Sequence, residues 1–199
     1  MKHFNIFCLL FLITTLSTCV GKNTYSLRDS GLGTGLVFYI DPAGAKLLPE
    51  GKTYLEAAPS DQSVDAMWGV YGTSTDATLT DVGSGQANTD KIVATQGTGS
   101  YAAQLCNDLV LGGYSDWFLP SKDELDKMYV NLHKGTDEYG VIYEPVGAFT
   151  TGGGTADGYW SSSGGWVDMA WAQFFDVGEQ LGVTYGSINT EHVRCVRAF

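Results

Sequence analysis

Ser161, Ser162 and Ser163 stand in a row, and beyond residue 20 the chain carries two histidines, His133 and His192. A serine beside a histidine is the starting material of nucleophilic hydrolysis. No G-x-S-x-G turn surrounds these serines, so the spacing presents none of them as a nucleophile. His133 closes a helical pattern, where a cation suits the helix dipole, and His192 falls in a strand pattern. Cysteine and histidine do not cluster at zinc-ligand spacing. Asp76, Asp81, Asp90, Asp157, Asp168 and Asp176 are hard oxygen donors of the kind calcium takes, but no EF-hand loop is present. Aspartates in turns commonly serve the backbone, so no cofactor is expected, and calcium is compatible with the donors without a motif behind it. "GKT" at 51–53 lacks the upstream glycine of a phosphate loop, since Lys46 stands there, and "GTGSYA" at 97–102 reads as a helix break.

The same region offers a different chemistry. "GYWSSSGGWVDMAWAQFF", 158–175, holds three tryptophans, a tyrosine and two phenylalanines. Rings at that density fill a core or face a ligand. Alternation places Trp171, Gln173 and Phe175 on one face of a strand and Ala170, Ala172 and Phe174 on the other. Trp117, Phe118 and Trp160 read as core. Trp166 sits among Ser, Gly and Asp, the setting of a displayed aromatic, because rigid rings stack while small polar groups adapt. The candidate ligand surface is Trp166 with Tyr159, Asp168, Tyr185 and Asn189, and Trp68 and Tyr71 are its neighbours. The alternative for Trp166 is a loop anchor.

These residues need elements to hold them. "GLVFYI" (35–40) and "TYLEAA" (53–58) read as a hairpin around the turn residues "DPAG". Residues 59–88 show no period and read as a long ordered loop. "DKIVAT", capped by Asn88 or Thr89, begins a helical region. Ala102, Leu105, Cys106 and Leu109 follow on one helical face. "GGYSDWFLP" (112–120) reads as a short buried strand. Ser121 with Glu124 forms a capping box for a helix whose apolar face is Leu125, Met128, Tyr129 and Leu132. The remainder reads as an antiparallel meander of "GYWSSS", "MAWAQFF", "QLGVTYG" and "HVRCVRAF". The plan is α+β: two main helices packed on antiparallel β-sheet with long irregular loops.

Composition narrows the setting. Residues 1–18 carry a basic start and an apolar run too short to span a bilayer, and read as a signal peptide. "LSTC" resembles a lipobox with Cys19 as the lipidated residue, although Thr18 is larger than usual; ordinary cleavage to a secreted or periplasmic protein is the alternative. Residues 19–34 then form a tether and 35–199 one domain. Removing 1–18 takes one lysine and no acid, leaving ten basic residues against 22 acidic and a net charge of −12. That balance argues against nucleic acid and against polybasic membrane attachment, so membrane contact is expected only through a lipid anchor. With Cys8 removed and Cys19 modified, Cys106 and Cys195 remain; in an exported chain they read as a disulfide, with two buried thiols as the alternative.

Four stretches together carry a family resemblance: "GLVFYID" with "LEAAPSDQS", "YAAQLCNDLVLGGYSDWFLPSKDEL", "YWSSS" with "AWAQFF", and "VRCVRAF". They resemble the C-terminal domain of the Legionella collagen-like adhesin. That family is similar to C-type-lectin-like domains and to their formylglycine-generating-enzyme relatives. "WFLPSKDE" (117–124) matches the W-x-L-P-[ST]-x-x-E stretch, and "RCVR" (194–197) the ending. The resemblance implies a C-type-lectin-like ligand-binding domain and, weakly, affinity for sulfated polysaccharide or host surfaces. The calcium–sugar motifs are absent: "YEPVG" has Glu-Pro without Asn, and there is no Trp-Asn-Asp. The collagen-like stalk is absent too, and Cys195 does not supply the enzymes' reactive cysteine pair.

The expectation is a non-enzymatic, exported, surface-anchored module that binds a glycan or an extracellular protein. A structural envelope lipoprotein docking a protein of the same cell is the alternative, and a secreted hydrolase or oxidase stands behind both.

Overall fold

The computed structural model describes residues 24–152, 157–165, 168–185 and 189–199. The expected signal peptide, Cys19 and Trp166 lie outside them. Among the described residues, eight strands and three α-helices form an α+β unit. Strands β1 (Leu36–Ile40), β2 (Tyr54–Ala57) and β8 (Val196–Ala198) make an antiparallel sheet in the order β1-β2-β8. A second sheet has the order β3-β7-β4-β5-β6, with β3 at Ser63–Ala66, β4 at Gly158–Gly164, β5 at Met169–Phe174, β6 at Glu179–Thr184 and β7 at Glu191–Val193. It is mixed, because β4 and β7 run parallel.

The expected hairpin at 35–58 forms, with a register shift between Val37 and Tyr39. The expected meander is corrected. Only β4-β5-β6 meanders. "HVRCVRAF" breaks at Arg194 and Cys195, so β7 joins one sheet and β8 the other. Residues 112–120 form no strand; Leu111 bridges Tyr114, and Phe118 bridges Val196, while Trp117, Phe118 and Leu119 are buried.

Helix α1 (Gly85–Gln96) starts earlier than its expected caps, with Ser84 at the N-cap position. Asn88 and Thr89 lie inside it and are fully buried. Their side chains fix neighbouring backbone instead: Asn88 Nδ2 donates to the Leu79 carbonyl (2.6 Å), and Thr89 Oγ1 accepts from Leu119 N–H (3.1 Å). Helix α2 (Ala102–Asn107) carries Cys106. Helix α3 (Lys122–Met128) has the capping box read from Ser121 and Glu124, and continues as a π-helical turn, Tyr129–His133. Helix α1 packs on α2 and β4, while α3 packs on β1, β4 and β5.

Two cores result, and β4 separates them. Both its faces are buried, so its alternation sends Tyr159 to a core with Phe38, Leu125, Met128, Phe149 and Phe175, and Trp160 to one with Trp68, Trp117, Ile92 and Ala102. A disulfide joins Cys106 to Cys195 within the second core. It closes a separation of 89 residues, which a chain-entropy treatment values at about 4–5 kcal/mol. The ending "RCVR" locks the same region by charge. Arg194 Nε donates to Asp61 Oδ1 (2.6 Å), and Arg197 pairs with Asp116 and with Glu56. Glu56, wholly buried, also accepts from the N–H groups of Gly33 and Gly35. A Cβ at residue 33 would lie 2.8 Å from its Oε1, so that approach requires glycine.

Candidate functional site

The long segment between β3 and α1 is fastened at many points. Val70 N–H bonds Gln96 Oε1 (2.9 Å), Gly72 N–H bonds Asp168 Oδ1 (2.8 Å), and Gly164 N–H bonds the Ala77 carbonyl (2.6 Å). Further along, Ser163 Oγ donates to the Leu79 carbonyl (2.6 Å), and Gly83 N–H bonds Glu124 Oε1 (2.8 Å). An irregular segment held this closely has a fixed surface to present.

What it presents is a cleft of about 230 Å³. Gly72, residues 74–78, the end of β4 with Gly165, and Asp168, Met169 and Tyr185 line it, over Trp68. The Trp68 and Tyr185 rings meet at 4.6 Å between centroids. Both are buried, and their polar ends are used: Trp68 Nε1 donates to the Ser161 carbonyl (2.7 Å) and Tyr185 OH to that of Thr73 (3.3 Å). Asp76 and Asp168 both sit in the left-handed region, at φ 52° and 61°. Aspartate tolerates that conformation better than most residues. Asp168 holds Gly72 with one oxygen, and Asp76 Oδ1 accepts from Ser74 Oγ (3.2 Å). No lysine or arginine is among the described lining residues, and Lys91 Nζ, close by, donates to the Asp76 backbone carbonyl (3.1 Å), so the two carboxylates suit donors such as hydroxyl or ammonium groups. Met67, Val70 and Tyr71 are exposed beside it, Tyr71 by 64%. A larger hollow, about 530 Å³, lies within residues 41–52 and is formed by that one loop.

Folding thus gathers Trp68, Asp168 and Tyr185 from distant positions into one cleft and places Tyr71 beside it. Tyr159 is corrected. It has no exposed surface, because β4 is covered on both faces, and its hydroxyl donates to Asp61 Oδ2 (3.0 Å) and accepts from Thr150 N–H. Asn189 closes its own turn, donating to the Thr184 carbonyl (2.6 Å), and does not line the cleft. Trp68 is a floor rather than a displayed ring. Ser74, Thr75 and Asp76 line the cleft as well, although their sequence offers only a calcium-type donor in Asp76 and no ring to mark a site.

Two of the three candidate serines are engaged elsewhere, and the third, Ser162, is buried with no hydrogen-bond partner for its hydroxyl. Ser161 Oγ donates to the Trp171 carbonyl (2.8 Å), Ser163 to Leu79, and all three serines are fully buried. His192 lies between carboxylates, with Nδ1 3.5 Å from Asp61 and Nε2 3.7 Å from Asp157. Burial pushes the adjacent Glu191 carboxyl up to about 7, against the Gly158 N–H bond that favours its charged form, and the Asp157 charge adds to the rise. His133 is corrected as a helix-end cation: burial lowers its imidazole, which sits against the rings of Tyr129, Phe149 and Phe175. Among the described residues, no group of three His, Cys, Asp or Glu side chains is placed to hold a metal ion. No described helix is long and apolar enough to cross a membrane.

No family model matches the chain, and no curated protein matches it.

Proposed function

We propose that this chain is an exported binding module of the C-type-lectin-like kind, held at a cell surface by a lipid on Cys19. Its cleft takes a donor-bearing group of a neutral glycan or an extracellular protein, with no cofactor and no catalytic step. One observation carries the reading: Asp76 and Asp168, 92 positions apart, line one fixed cleft whose described lining residues include no basic side chain, while the neighbouring Lys91 ammonium is spent on the Asp76 backbone carbonyl (3.1 Å). Carboxylates accept strongly from hydroxyl groups, and the exposed Tyr71 offers a ring next to them. At about 230 Å³ the cleft lies below the ~300 Å³ lower end of ordinary ligand pockets, so it suits one ring or side chain of a larger ligand. This chemistry points away from the sulfated polysaccharides that the family resemblance implied.

The test is a screen of the mature protein against neutral, amino and sulfated glycans and matrix proteins, with calcium and with chelator. A calcium-independent hit that weakens in Asp168→Asn supports the proposal. Preference for sulfated glycans would count against it. The apolar rim of Met67, Val70 and Tyr71 favours a second reading, an envelope lipoprotein that docks a protein of its own cell. In-cell cross-linking from position 71 to one dominant endogenous protein would establish that reading instead.

A further inference from the structure

Tyr139, Val141 and Ile142 form an exposed apolar tip remote in sequence from the cleft. They are 67%, 53% and 83% exposed, and Ile142 is the most exposed large hydrophobic side chain among the described residues. Large apolar side chains held outward this close together mark a contact surface.

The tip is built to hold them there. Asp137 lies at its base, nearly buried, and accepts from Tyr139 N–H (3.1 Å), Val141 N–H (2.9 Å) and Arg28 Nη2 (3.2 Å). Asp137 N–H bonds the Val141 carbonyl, Gly140 N–H bonds the Asp137 carbonyl, and Glu138 N–H bonds Asn131 Oδ1. Every backbone N–H from 137 to 141 therefore has a partner inside the protein. Such groups would be costly to leave unpaired in an apolar or interfacial medium, so the N–H side of this turn can enter one.

The tip also sits beside the start of the chain. Arg28, which clamps Asp137, donates to the Asn131 carbonyl (3.1 Å), and its guanidinium lies 4.4 Å over the Tyr143 ring. Nine positions separate Arg28 from Cys19, an extended reach of at most about 30 Å. A lipid at Cys19 keeps a bilayer within that distance of the clamp, so even a weak contact becomes an intramolecular one. Charge does not oppose it locally: Glu138 pairs with Lys127 and Asp137 with Arg28, while Lys134 stands opposite Glu144 in sign.

We infer that Tyr139, Val141 and Ile142 form a membrane-contact tip that seats in the interface of the zwitterionic phospholipid surface to which the N-terminal lipid anchors the domain. This rests on the anchor reading above. The tip fixes how the domain stands on that surface.

The test uses the full acylated protein, reconstituted in phosphatidylethanolamine–phosphatidylcholine vesicles with a diazirine phospholipid. Intact mass reports acylation of Cys19 separately. The expected result is photolabel on the peptide containing 139–142, falling about tenfold in the Val141→Ser/Ile142→Ser double variant at unchanged Tm. Acylated protein with no label on that peptide overturns the inference and leaves the anchor standing. If Cys19 carries no lipid, the anchor reading fails. The inference is then decided by added vesicles of the same composition: label on the peptide supports it, and none overturns it. A cross-link from the tip to a protein in cells, in place of lipid, also overturns it.

Discussion

At the residue scale, two carboxylates define the site. Asp76→Asn and Asp168→Asn keep the left-handed backbone and the acceptor oxygen for Ser74 and Gly72 while removing the charge. Each is expected to shift stability by no more than about 0.5 kcal/mol, as substitutions outside the core do, and to weaken ligand binding several-fold. Thermal unfolding beside a titration separates the two effects. A second residue-scale expectation concerns Glu191 and Glu124, whose carboxyls burial raises to about 7. A raised folded pKa means the native state holds its proton more tightly. Stability is then full below the unfolded value near 4.5 and declines as pH rises through about 7. Glu191→Gln keeps an acceptor for Gly158 N–H and removes its part of that decline, on the order of 1 kcal/mol once solvent screening is allowed for. Denaturant midpoints at pH 5 and pH 8 test this, and an unchanged difference in the variant argues against it.

Elements explain what could and could not be read beforehand. The capping box was legible because it is local: Ser121 and Glu124 bond each other's backbone whatever surrounds them. Ser121→Ala should cost about 1–2 kcal/mol in denaturant unfolding, since it also drops the bond from Ser121 Oγ to the Asp81 carbonyl. The hairpin was legible for the same reason. Strand β3 was hidden because its partner, β7, lies over 120 positions away, and its alternation, "SVDA", is only four residues long. The break in "HVRCVRAF" was hidden as well, since which sheet each half joins depends on long-range pairing. Asn88 and Thr89 carry the residue types of caps. Their side chains satisfy loop backbone from inside the helix, a role that only tertiary structure assigns. The site was half legible: residue types marked Trp68, Asp168 and Tyr185, while the full coverage of β4 took Tyr159 out of it.

For the whole molecule, the opening cluster of aromatics belongs mainly to the interior. Trp160→Ala empties the core between the helices and the mixed sheet and should cost about 3–5 kcal/mol. The disulfide acts at the same scale. Replacing Cys106 and Cys195 together by alanine should cost about 2–5 kcal/mol, read as a lower denaturant midpoint, because the bridge ties α2 to the segment between β7 and β8. The net charge of −11 over the full sequence and the two cleft carboxylates are the electrostatic ground on which the proposal favours neutral or cationic ligands over sulfated ones. The central claim is tested most directly by glycan-array binding of the mature protein and its Asp76→Asn/Asp168→Asn double variant, in chelator. The account predicts a neutral or amino-bearing glycan bound by the wild type and lost in the variant at equal Tm. Wild-type binding confined to sulfated glycans, or binding unchanged in the variant, would contradict it.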